Sequence, residues 1–492
     1  NCSPCLYPRV RSVDVSPDGK MILLGSQGGE IFEMDIIDGK SVHEAGPLVQ
    51  SHFRGALRGL AVHPTEPEFA TIGDDNTLRV WSINDMKIKT TKELDSPGRA
   101  LSYSHDGRLL AAGLGAGLAK AQNDGKYMIF ESTSLSVIHE GREAQEWVRF
   151  LSFSPDNKRL AVGHQDNTIV LCDATDGFVR SATITCHQAP VMALDWSSDS
   201  MYTVSIDEAY NMQFADATSG VQIPVAAALK DSKWSTQTCW LGWAVQGIQP
   251  DKYTKATIAA CDRSRKAARN GQHLLAVADS FGRFKVYHTP TYEKDHGFSL
   301  HRGHSGALGN IKWATEDTHL LTVGADDRCV FQWRCLPDDA VQEGDQAGDS
   351  GEDSEVERDT GLSSVQMLGD YEKAAAEVFS AVKPWVNNIV PPSKVPEEIS
   401  ERPPLDLELD FAHGVRCGDV RNAVRYNCRG GVVFPSAALG VIYDAGMHAQ
   451  FFHTGHRGDI ISMAMSASKL VVATGDCGKV RYLSILIILR SS

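Results

Sequence analysis

The sequence has no apolar run long enough to cross a membrane; its apolar stretches are short, such as Ile485–Ile488. It has no basic excess either, because 48 Lys and Arg stand against 62 Asp and Glu and the net charge is −14. This balance argues against nucleic acid and against an anionic membrane surface as partners. The 11 cysteines form no paired metal-ligand pattern, and Cys2 and Cys5 are a lone CxxC. We therefore expect reduced thiols, no metal site and no cofactor.

The negative charge is unevenly distributed. Between Pro337 and Asp359, ten acidic residues stand against Arg358 alone, which leaves the rest of the chain at a net of −5. We interpret this acidic run as a disordered, solvating spacer. A length of 492 residues indicates more than one domain, and the absence of Met at position 1 indicates a stretch of a longer protein.

Turn signals recur along the first part of the chain at intervals of roughly 40–50 residues. Each signal begins with an apolar residue, passes through a polar turn and enters an apolar run, which is the pattern of a β-hairpin. The segments are VSPDGKMIL from Val15, VHPTEPEFA from Val62, YSHDGRLLA from Tyr103, FSPDNKRLA from Phe153, WSSDSMYTV from Trp196 and WATEDTHLL from Trp313. A second hairpin follows most of them, with Gly, Asp or Asn at the tight turn.

Four short strands per repeat, with no helix between them, predict an all-β fold containing a β-propeller. Radial repetition of such sheets protects their edges from pairing with other chains. We count seven blades in a domain of residues 1–336, with bounds near 9–50, 51–90, 91–137, 138–179, 180–222, 223–296 and 297–336. The last blade has no obvious fourth strand after Trp333.

Polar residues recur at fixed intervals within these repeats. Two sets have the spacing of the buried hydrogen-bonded residues of WD repeats: His52, Thr71, Asp75 and Trp81, and then His304, Asp327 and Trp333. In the second set we expect the hydroxyl at position 323, which is Val323. An imidazole between a carboxylate and a hydroxyl resembles a catalytic triad, but recurrence indicates a stabilising role. Each buried polar group left unsatisfied would cost about 1–3 kcal/mol.

The spacing of Gly113, Gly115 and Gly117 is that of a phosphate-binding loop. No βαβ unit surrounds these glycines and a strand follows where a helix is required, so we interpret them as a loop at a blade edge. The sequence also carries no nucleophile elbow and no carboxylate pair within a catalytic motif. We predict that the protein is not an enzyme.

Three further regions follow the acidic run. Apolar residues at helical spacing predict a helix over Leu368–Lys383 that ends at Pro384. Val390–Pro404 is rich in proline and predicts an extended linker. We therefore assign 337–404 as a linker, 405–454 as a separate segment and 455–492 as the incomplete first blade of a further propeller.

The segment that follows the linker, DLELDFAHGVRCGDVRNAVRYNCRGGVVFPSAALGVIYDAGMHAQFFHTGHRGDIISMAM (Asp406–Met465), resembles the HELP motif of the echinoderm microtubule-associated protein-like family. In that family the motif leads into the first of two fused propellers, a unit called the TAPE domain. Residues 1–336 are similar to the second propeller of such a unit, as in His52–Trp81 and LGWAVQGIQP (Leu241–Pro250). A second propeller followed by a new HELP motif implies tandem units, with the HELP segment as the element that couples them.

The HELP segment offers both apolar and charged residues. Its expected core residues are Leu409, Phe411, Tyr426, Phe434 and Tyr443. Its charged residues need partners where they are buried: Arg416, Asp419, Arg421 and Arg425. Two stretches depart from the family pattern, namely Tyr482–Ser492 and an insert at Lys266–Gly271.

The resemblance implies a non-catalytic scaffold that binds tubulin in microtubules, and further microtubule-associated proteins are possible partners. It also implies a location in the cytoplasm and cytoskeleton, and the tandem layout would suit the stable array of a cilium or flagellar axoneme. The residues themselves add that the inserted loop of the sixth repeat is basic and would be attracted to an acidic polymer. Its candidate tubulin contacts are Lys252, Lys255, Arg263, Arg265, Lys266 and Arg269. The alternatives are a merely solvated loop and a propeller adaptor that assembles a non-tubulin complex.

Overall fold

A computed structural model describes residues 9–43, 46–115, 123–249, 256–267, 271–294, 296–337, 389–477 and 483–487. Regular structure in these ranges is nearly all β, with three short 3₁₀ helices at Ala226–Leu229, Trp243–Ile248 and Thr315–Asp317. None of the helices in this part of the chain has the length and apolar character needed to span a membrane. The predicted helix over Leu368–Lys383 and the acidic run lie outside the described residues.

The chain begins with a three-stranded sheet, the side sheet, made of β1 (Val10–Val15), β2 (Met21–Ser26) and β3 (Ile31–Asp35). Six antiparallel sheets follow, called ring sheets 1 to 6. Ring sheets 1 to 3 contain β4 (Leu57–Val62), β5 (Glu68–Gly73), β6 (Thr77–Ser82) and β7 (Lys87–Glu93); β8 (Gly98–Tyr103), β9 (Leu109–Leu114), β10 (Lys126–Glu131) and β11 (Val137–Arg142); and β12 (Val148–Phe153), β13 (Arg159–His164), β14 (Ile169–Asp173) and β15 (Val179–Ile184).

Ring sheet 4 has three strands and ring sheets 5 and 6 have four. They contain β16 (Val191–Trp196), β17 (Tyr202–Asp207) and β18 (Met212–Asp216); β19 (Ile258–Arg263), β20 (His273–Asp279), β21 (Arg283–Thr289) and β22 (Ser299–Arg302); and β23 (Leu308–Trp313), β24 (His319–Gly324), β25 (Val330–Pro337) and β26 (Leu405–His413). Two more sheets end the chain: the HELP sheet, with β27 (Arg425–Tyr426), β28 (Val432–Ser436), β29 (Leu439–Asp444) and β30 (Ala449–His453), and the terminal sheet, with β31 (Ile460–Met465), β32 (Val471–Asp476) and β33 (Leu483–Ile487).

Four of the hairpins that open a sheet are stabilised by a serine and by an aspartate two residues later. In the turn after β8, the Ser104 hydroxyl donates to Asp106 at 2.6 Å and accepts from the Leu109 N–H at 2.9 Å. Gly107 follows with a φ of +74°, a conformation that costs glycine little. Serines with the same bonds open the hairpins after β1, β12 and β16: Ser16, Ser154 and Ser197. The turn signals in the sequence therefore have a direct hydrogen-bonded basis.

The ring closes between ring sheets 6 and 1. The Leu57 N–H donates to the Ala325 carbonyl at 3.0 Å, and a Cβ on Gly309 would lie 2.3 Å from the Leu57 carbonyl oxygen. The prediction that 9–50 is a blade of this ring is therefore wrong, and the described part of the ring has six sheets rather than seven blades. Turn signals identify hairpins, but they do not specify which ring a sheet joins.

The fourth strand of ring sheet 6 comes from the HELP segment. β26 pairs antiparallel with β25, from Val330 opposite His413 to Pro337 opposite Leu405. This strand supplies the closure that was not visible after Trp333. The segment assigned to 405–454 therefore begins with a strand that belongs to ring sheet 6. The domain assigned to 1–336 does not close without this strand.

An irregular segment lies between ring sheets 4 and 5. The Asp195 carboxylate on β16 accepts from the Thr238 N–H at 2.9 Å and from the Cys239 N–H at 2.8 Å. On the other side, the Cys261 thiol on β19 donates to the Thr238 carbonyl at 3.2 Å. These bonds hold 234–241 against both sheets, so the ring continues here without a regular strand.

The side sheet, the HELP sheet and the terminal sheet pack side by side. The Ser12 hydroxyl on β1 accepts from the Val424 N–H at 2.9 Å, next to the HELP sheet. On the other side of the HELP sheet, the Ile460 N–H donates to the Ala437 carbonyl at 3.1 Å. Leu483–Ile487 pairs with β32, so the expectation that the end of the chain departs from the blade pattern is wrong for these five residues.

Candidate functional site

The first predicted polar set lies buried in ring sheet 1. His52 Nδ1 lies 2.9 Å from the Asp75 carboxylate, and His52 Nε2 lies 2.9 Å from Thr71 Oγ1. The Trp81 indole N–H donates to the same hydroxyl at 2.7 Å. Burial lowers the pKa of His52; it works to raise the pKa of Asp75, but the charge of His52 and its hydrogen bond outweigh it and lower that pKa to about 2. The set ties β5, β6, the turn between them and the chain before β4 together.

The second set lies in ring sheet 6, with a different hydroxyl from the one expected. His304 Nδ1 lies 2.9 Å from Asp327 and His304 Nε2 lies 2.9 Å from Thr322 Oγ1, which also accepts from the Trp333 indole at 3.0 Å. The expectation of position 323 is therefore wrong. The turn before Asp327 is one residue longer than the turn before Asp75, so counting back from the aspartate gives the wrong residue.

Two more sets escaped notice in the sequence. His187 lies 2.7 Å from Ser205 and 3.1 Å from Asp207, and His456 lies 2.7 Å from Thr474 and 3.4 Å from Asp476. In both sets the hydroxyl residue lies 18 residues after the histidine, and the aspartate lies 20 residues after the histidine. A search for an aspartate 23 residues after the histidine, as in the set at His52, therefore misses them. Their recurrence in four sheets indicates that the sets stabilise sheets.

The HELP segment contributes to one continuous core with the side sheet and ring sheets 5 and 6. Four of its five expected core residues are buried there, and the fifth, Leu409, packs against it partly buried; the four are Phe411, Tyr426, Phe434 and Tyr443. His413, which no pattern in the sequence indicates, is also buried. Its ring lies 4.6 Å from Trp81 of ring sheet 1 and 4.8 Å from Phe411, measured between centroids. The segment therefore joins sheets that are far apart in the sequence.

Polar contacts fix the HELP sheet against the side sheet. The Tyr426 N–H donates to Asp14 at 2.8 Å, and the Tyr426 hydroxyl donates to Glu33 at 2.5 Å. Arg425 Nη1 lies 4.0 Å from Asp14, which Lys469 of the terminal sheet also approaches at 3.3 Å. Asp14 thus receives contacts from the HELP sheet and from the turn between β31 and β32 of the terminal sheet.

The HELP segment also contacts the terminal sheet through Arg416. This guanidinium pairs with Asp419 at 2.6 Å and with Asp459, and the Asp459 carboxylate accepts from the Ser305 hydroxyl of the ring at 2.6 Å. Burial works to lower the pKa of Arg416, but bonds to the two carboxylates outweigh it, so the pKa is raised. Local pairing of Arg416 with Asp419 occurs as the sequence suggested, whereas Arg421 is exposed.

Half of the predicted basic loop lies within the described residues. Arg263 is on β19 and donates to the Trp234 carbonyl at 2.8 Å and to that of Ser235 at 3.1 Å. The backbone N–H groups of Arg265 and Lys266 donate to Asp317, at 3.1 and 2.6 Å, and the Lys266 ammonium pairs with Glu316. Burial raises the pKa of Asp317 against the opposing effect of these donors. The remaining candidates lie outside the described residues: Lys252, Lys255 and Arg269.

One group among the described residues has the composition of a metal site. Glu293 and His296 lie in the connection between β21 and β22 of ring sheet 5, and Glu398 belongs to the linker; one donor atom of each lies within 4.8 Å of the others. The Gly113 region does not gain a comparable feature among the described residues: Gly113 lies in β9, Gly115 directly follows that strand, and 116–122 lie outside the described residues.

Comparison with known proteins bears on the ring and on the HELP segment separately. A family model described as the second β-propeller of echinoderm microtubule-associated protein matches residues 57–335, and a HELP motif model matches 402–441. The chain belongs to this family. The propeller match begins at the first residue of β4 and excludes the side sheet, in agreement with the closure of the ring. The HELP match includes β26, so the motif of this family member spans the closing strand and most of the HELP sheet.

The individual relatives are named echinoderm microtubule-associated protein-like proteins. Echinoderm microtubule-associated protein-like 3 of Homo sapiens is 26% identical over 322 residues, which are 65% of this chain and 34% of the relative. The like-2 protein of Rattus norvegicus is 27% identical over 342 residues, covering 67% of this chain and 50% of the relative. The like-4 protein of Xenopus tropicalis is 27% identical over 337 residues, 68% of this chain and 34% of the relative. The chain spans between about a third and a half of these relatives.

Proposed function

We propose that this protein is a non-catalytic microtubule-associated scaffold that binds the tubulin lattice through its propeller and the HELP unit attached to it. The observation that carries the proposal is the family match over 57–335, which coincides with the closed ring, together with the HELP match. The names of the relatives support microtubules as the polymer. The histidine sets support a non-catalytic role because they recur as sheet-stabilising devices.

We propose that the basic loop of the sixth repeat contacts tubulin. The contacts of its described residues reduce the number of basic side chains that are candidates for this role. Arg263 is engaged in structural hydrogen bonds, and Lys266 faces Glu316. We therefore propose that Lys252, Lys255 and Arg269 provide most of the attraction to an acidic lattice, which would be weak and dependent on salt.

The domain layout extends this proposal to several units. We propose that the side, HELP and terminal sheets are neighbouring blades of another propeller, coupled to the ring by β26. Tandem units could bind repetitively along a lattice, where avidity raises affinity without new contacts. Such a protein would reside in the cytoplasm on the microtubule cytoskeleton, and a stable array such as a ciliary or flagellar axoneme would favour multivalent binding.

Co-sedimentation with stabilised microtubules across a salt series tests the proposal. The whole chain is required, because residues 1–336 lack the strand that closes the ring. The loop variant carries Lys252→Glu, Lys255→Glu and Arg269→Glu. The matched control reverses three basic residues whose side chains are 76%, 81% and 84% exposed on other turns, namely Lys20, Lys40 and Arg108.

We expect salt-sensitive pelleting of the wild type and the control, and a several-fold weaker affinity for the loop variant. Pelleting retained by the loop variant would move the contact to another face of the propeller. If the wild type did not pellet even at low salt, direct tubulin binding would be wrong. The protein would then fit the alternative of an adaptor for a non-tubulin complex.

A further inference from the structure

The linker just before the closing strand is fastened to ring sheet 5. The Glu398 carboxylate accepts from the backbone N–H groups of Tyr292 and Glu293 at 2.6 and 3.1 Å. Two further bonds flank it: the Gln272 side chain donates to the Glu397 carbonyl at 2.6 Å, and the Gly297 N–H donates to the Ser400 carbonyl at 2.9 Å. This part of the proline-rich linker therefore lies against the propeller.

His296 is the unusual residue at this junction. Its side chain is only 7% exposed, and neither ring nitrogen makes a hydrogen bond. Its Nε2 lies 2.7 Å from Glu398 Oε1, close enough for an ion pair but outside hydrogen-bonding geometry, and that oxygen already accepts two backbone N–H groups. A buried imidazole that faces a carboxylate without a directed bond is poorly satisfied, because buried polar groups normally find a partner.

A metal ion would satisfy these groups together. Glu293 adds a second carboxylate, and donor atoms of the three residues lie within 4.8 Å of one another. Zinc binds imidazole nitrogen and carboxylate oxygen at about 2.0–2.2 Å, so a small rotation of the exposed Glu293 side chain would bring all three into reach. Imidazole combined with carboxylate suits a first-row transition metal better than calcium or magnesium, which prefer oxygen ligands alone.

We propose that Glu293, His296 and Glu398 bind a divalent transition metal ion, with zinc as the first candidate, and that the ion fastens the linker to the propeller. Three protein ligands leave at least one coordination position for water. Because two ligands belong to the ring and one to the linker, the ion links residues about a hundred positions apart. It would stabilise the placement of β26, which begins seven residues after Glu398.

The test is a zinc titration of the whole chain by calorimetry and thermal unfolding. A background with Cys2→Ser and Cys5→Ser removes the CxxC pair as a competing metal site. The informative variants are His296→Gln and Glu398→Gln; in the second, the amide oxygen can still accept both backbone N–H groups. Glu397→Gln, which changes an exposed neighbouring carboxylate, is the matched control.

We expect one zinc ion to bind with a higher Tm in the wild type and in Glu397→Gln, and at least tenfold weaker binding in both informative variants. Cobalt in place of zinc should give an absorption spectrum of nitrogen and oxygen ligation that His296→Gln abolishes. If His296→Gln does not fold, Glu293→Gln alters an exposed ligand and should weaken binding in the same direction. Absence of binding, or equal binding by wild type and the informative variants, would overturn the proposal and leave a plain histidine–glutamate pair.

Discussion

Ring sheets 1 and 6 have the same internal plan but differ in their outer strands. Val80 and Gln332 precede the tryptophans of their polar sets, and they pair with Thr90 and Phe411 respectively. Thr90 is exposed on a strand continuous with its sheet, whereas Phe411 is buried on a strand supplied from beyond the linker. Equivalent positions in the two sheets therefore face water in one case and the HELP core in the other.

This difference shows what the HELP segment does physically. The outer strand of ring sheet 1 completes a hairpin and buries little, as the largely exposed Lys87–Glu93 indicates. The outer strand of ring sheet 6 is apolar enough to enter a core shared with the side sheet and the HELP sheet. Its burial stabilises ring closure and attachment of the next sheets at once, because both depend on the same side chains.

The largest expected effect comes from truncating Phe411, and the equivalent residue Thr90 provides the comparison. Phe411→Ala removes a buried ring that contacts His413, Tyr443 and His448, and we expect a loss of about 3–4 kcal/mol in the free energy of unfolding. Thr90→Ala, at the exposed position, should change it by less than about 0.5 kcal/mol. Denaturant unfolding measures both, and hydrogen exchange of Leu405–His413 should rise only in the first variant. Equal costs would contradict the assignment of β26 to a shared core.

A smaller effect is expected where the two sheets are alike. Thr71→Val and Thr322→Val each remove the hydroxyl between a histidine and a tryptophan, and leave two buried donors or acceptors without partners. We expect each to cost about 2 kcal/mol in denaturant unfolding. Val323→Thr is the control, since it places a new hydroxyl where Val323 is fully buried and should also destabilise. A stabilising Val323→Thr would restore position 323 as the site of the hydroxyl.

The sequence predicted what is local and missed what is not. The hairpins, the propeller class and the set at His52 follow from turn residues and spacing within one repeat. The closing strand did not, because β25 and β26 are separated by the acidic run and the linker, and pairing across such a distance has no periodic signal. The side sheet was assigned to the wrong ring for the same reason: its repeat pattern is normal, and its neighbour is revealed by contacts to distant residues such as Val424 and Tyr426.

The basic loop illustrates a second limit. The positive charge of the loop can be counted from the sequence, but the hydrogen-bond and ion-pair partners of its side chains cannot. Arg263 and Lys266 contact Ser235 and Glu316, which lie 28 or more residues away in the sequence. His413 presents the same difficulty in reverse, since a histidine on a strand gives no sign that it will lie against Trp81. In both cases the decisive neighbour comes from another sheet.

The smallest expected effect is a pH dependence of stability that arises in ring sheet 6, at His413 of its outer strand β26. Burial, assisted by the charge of His448 and opposed by that of Asp410, lowers the pKa of His413 from 6.5 to about 3. Between these values the unfolded chain binds a proton that the folded chain does not, so stability is present above pH 6.5 and falls as the pH drops. Lowering the pH from 6.5 to 5.5 should therefore cost at most about 1.4 kcal/mol of stability, seen first as lower hydrogen-exchange protection of Leu405–His413.

His413→Phe isolates this contribution, because it keeps an aromatic ring against Trp81 and Phe411 while removing the titrating group. The matched control is His164→Phe in ring sheet 3, where burial, opposed by the charge of Asp166, lowers the histidine pKa to about 4. Exchange of the closing strand should become less sensitive to pH in the first variant alone. If both variants reduced that sensitivity equally, acid would destabilise the ring as a whole. The closing strand β26 would then respond to acid no differently from β7, the outer strand of ring sheet 1.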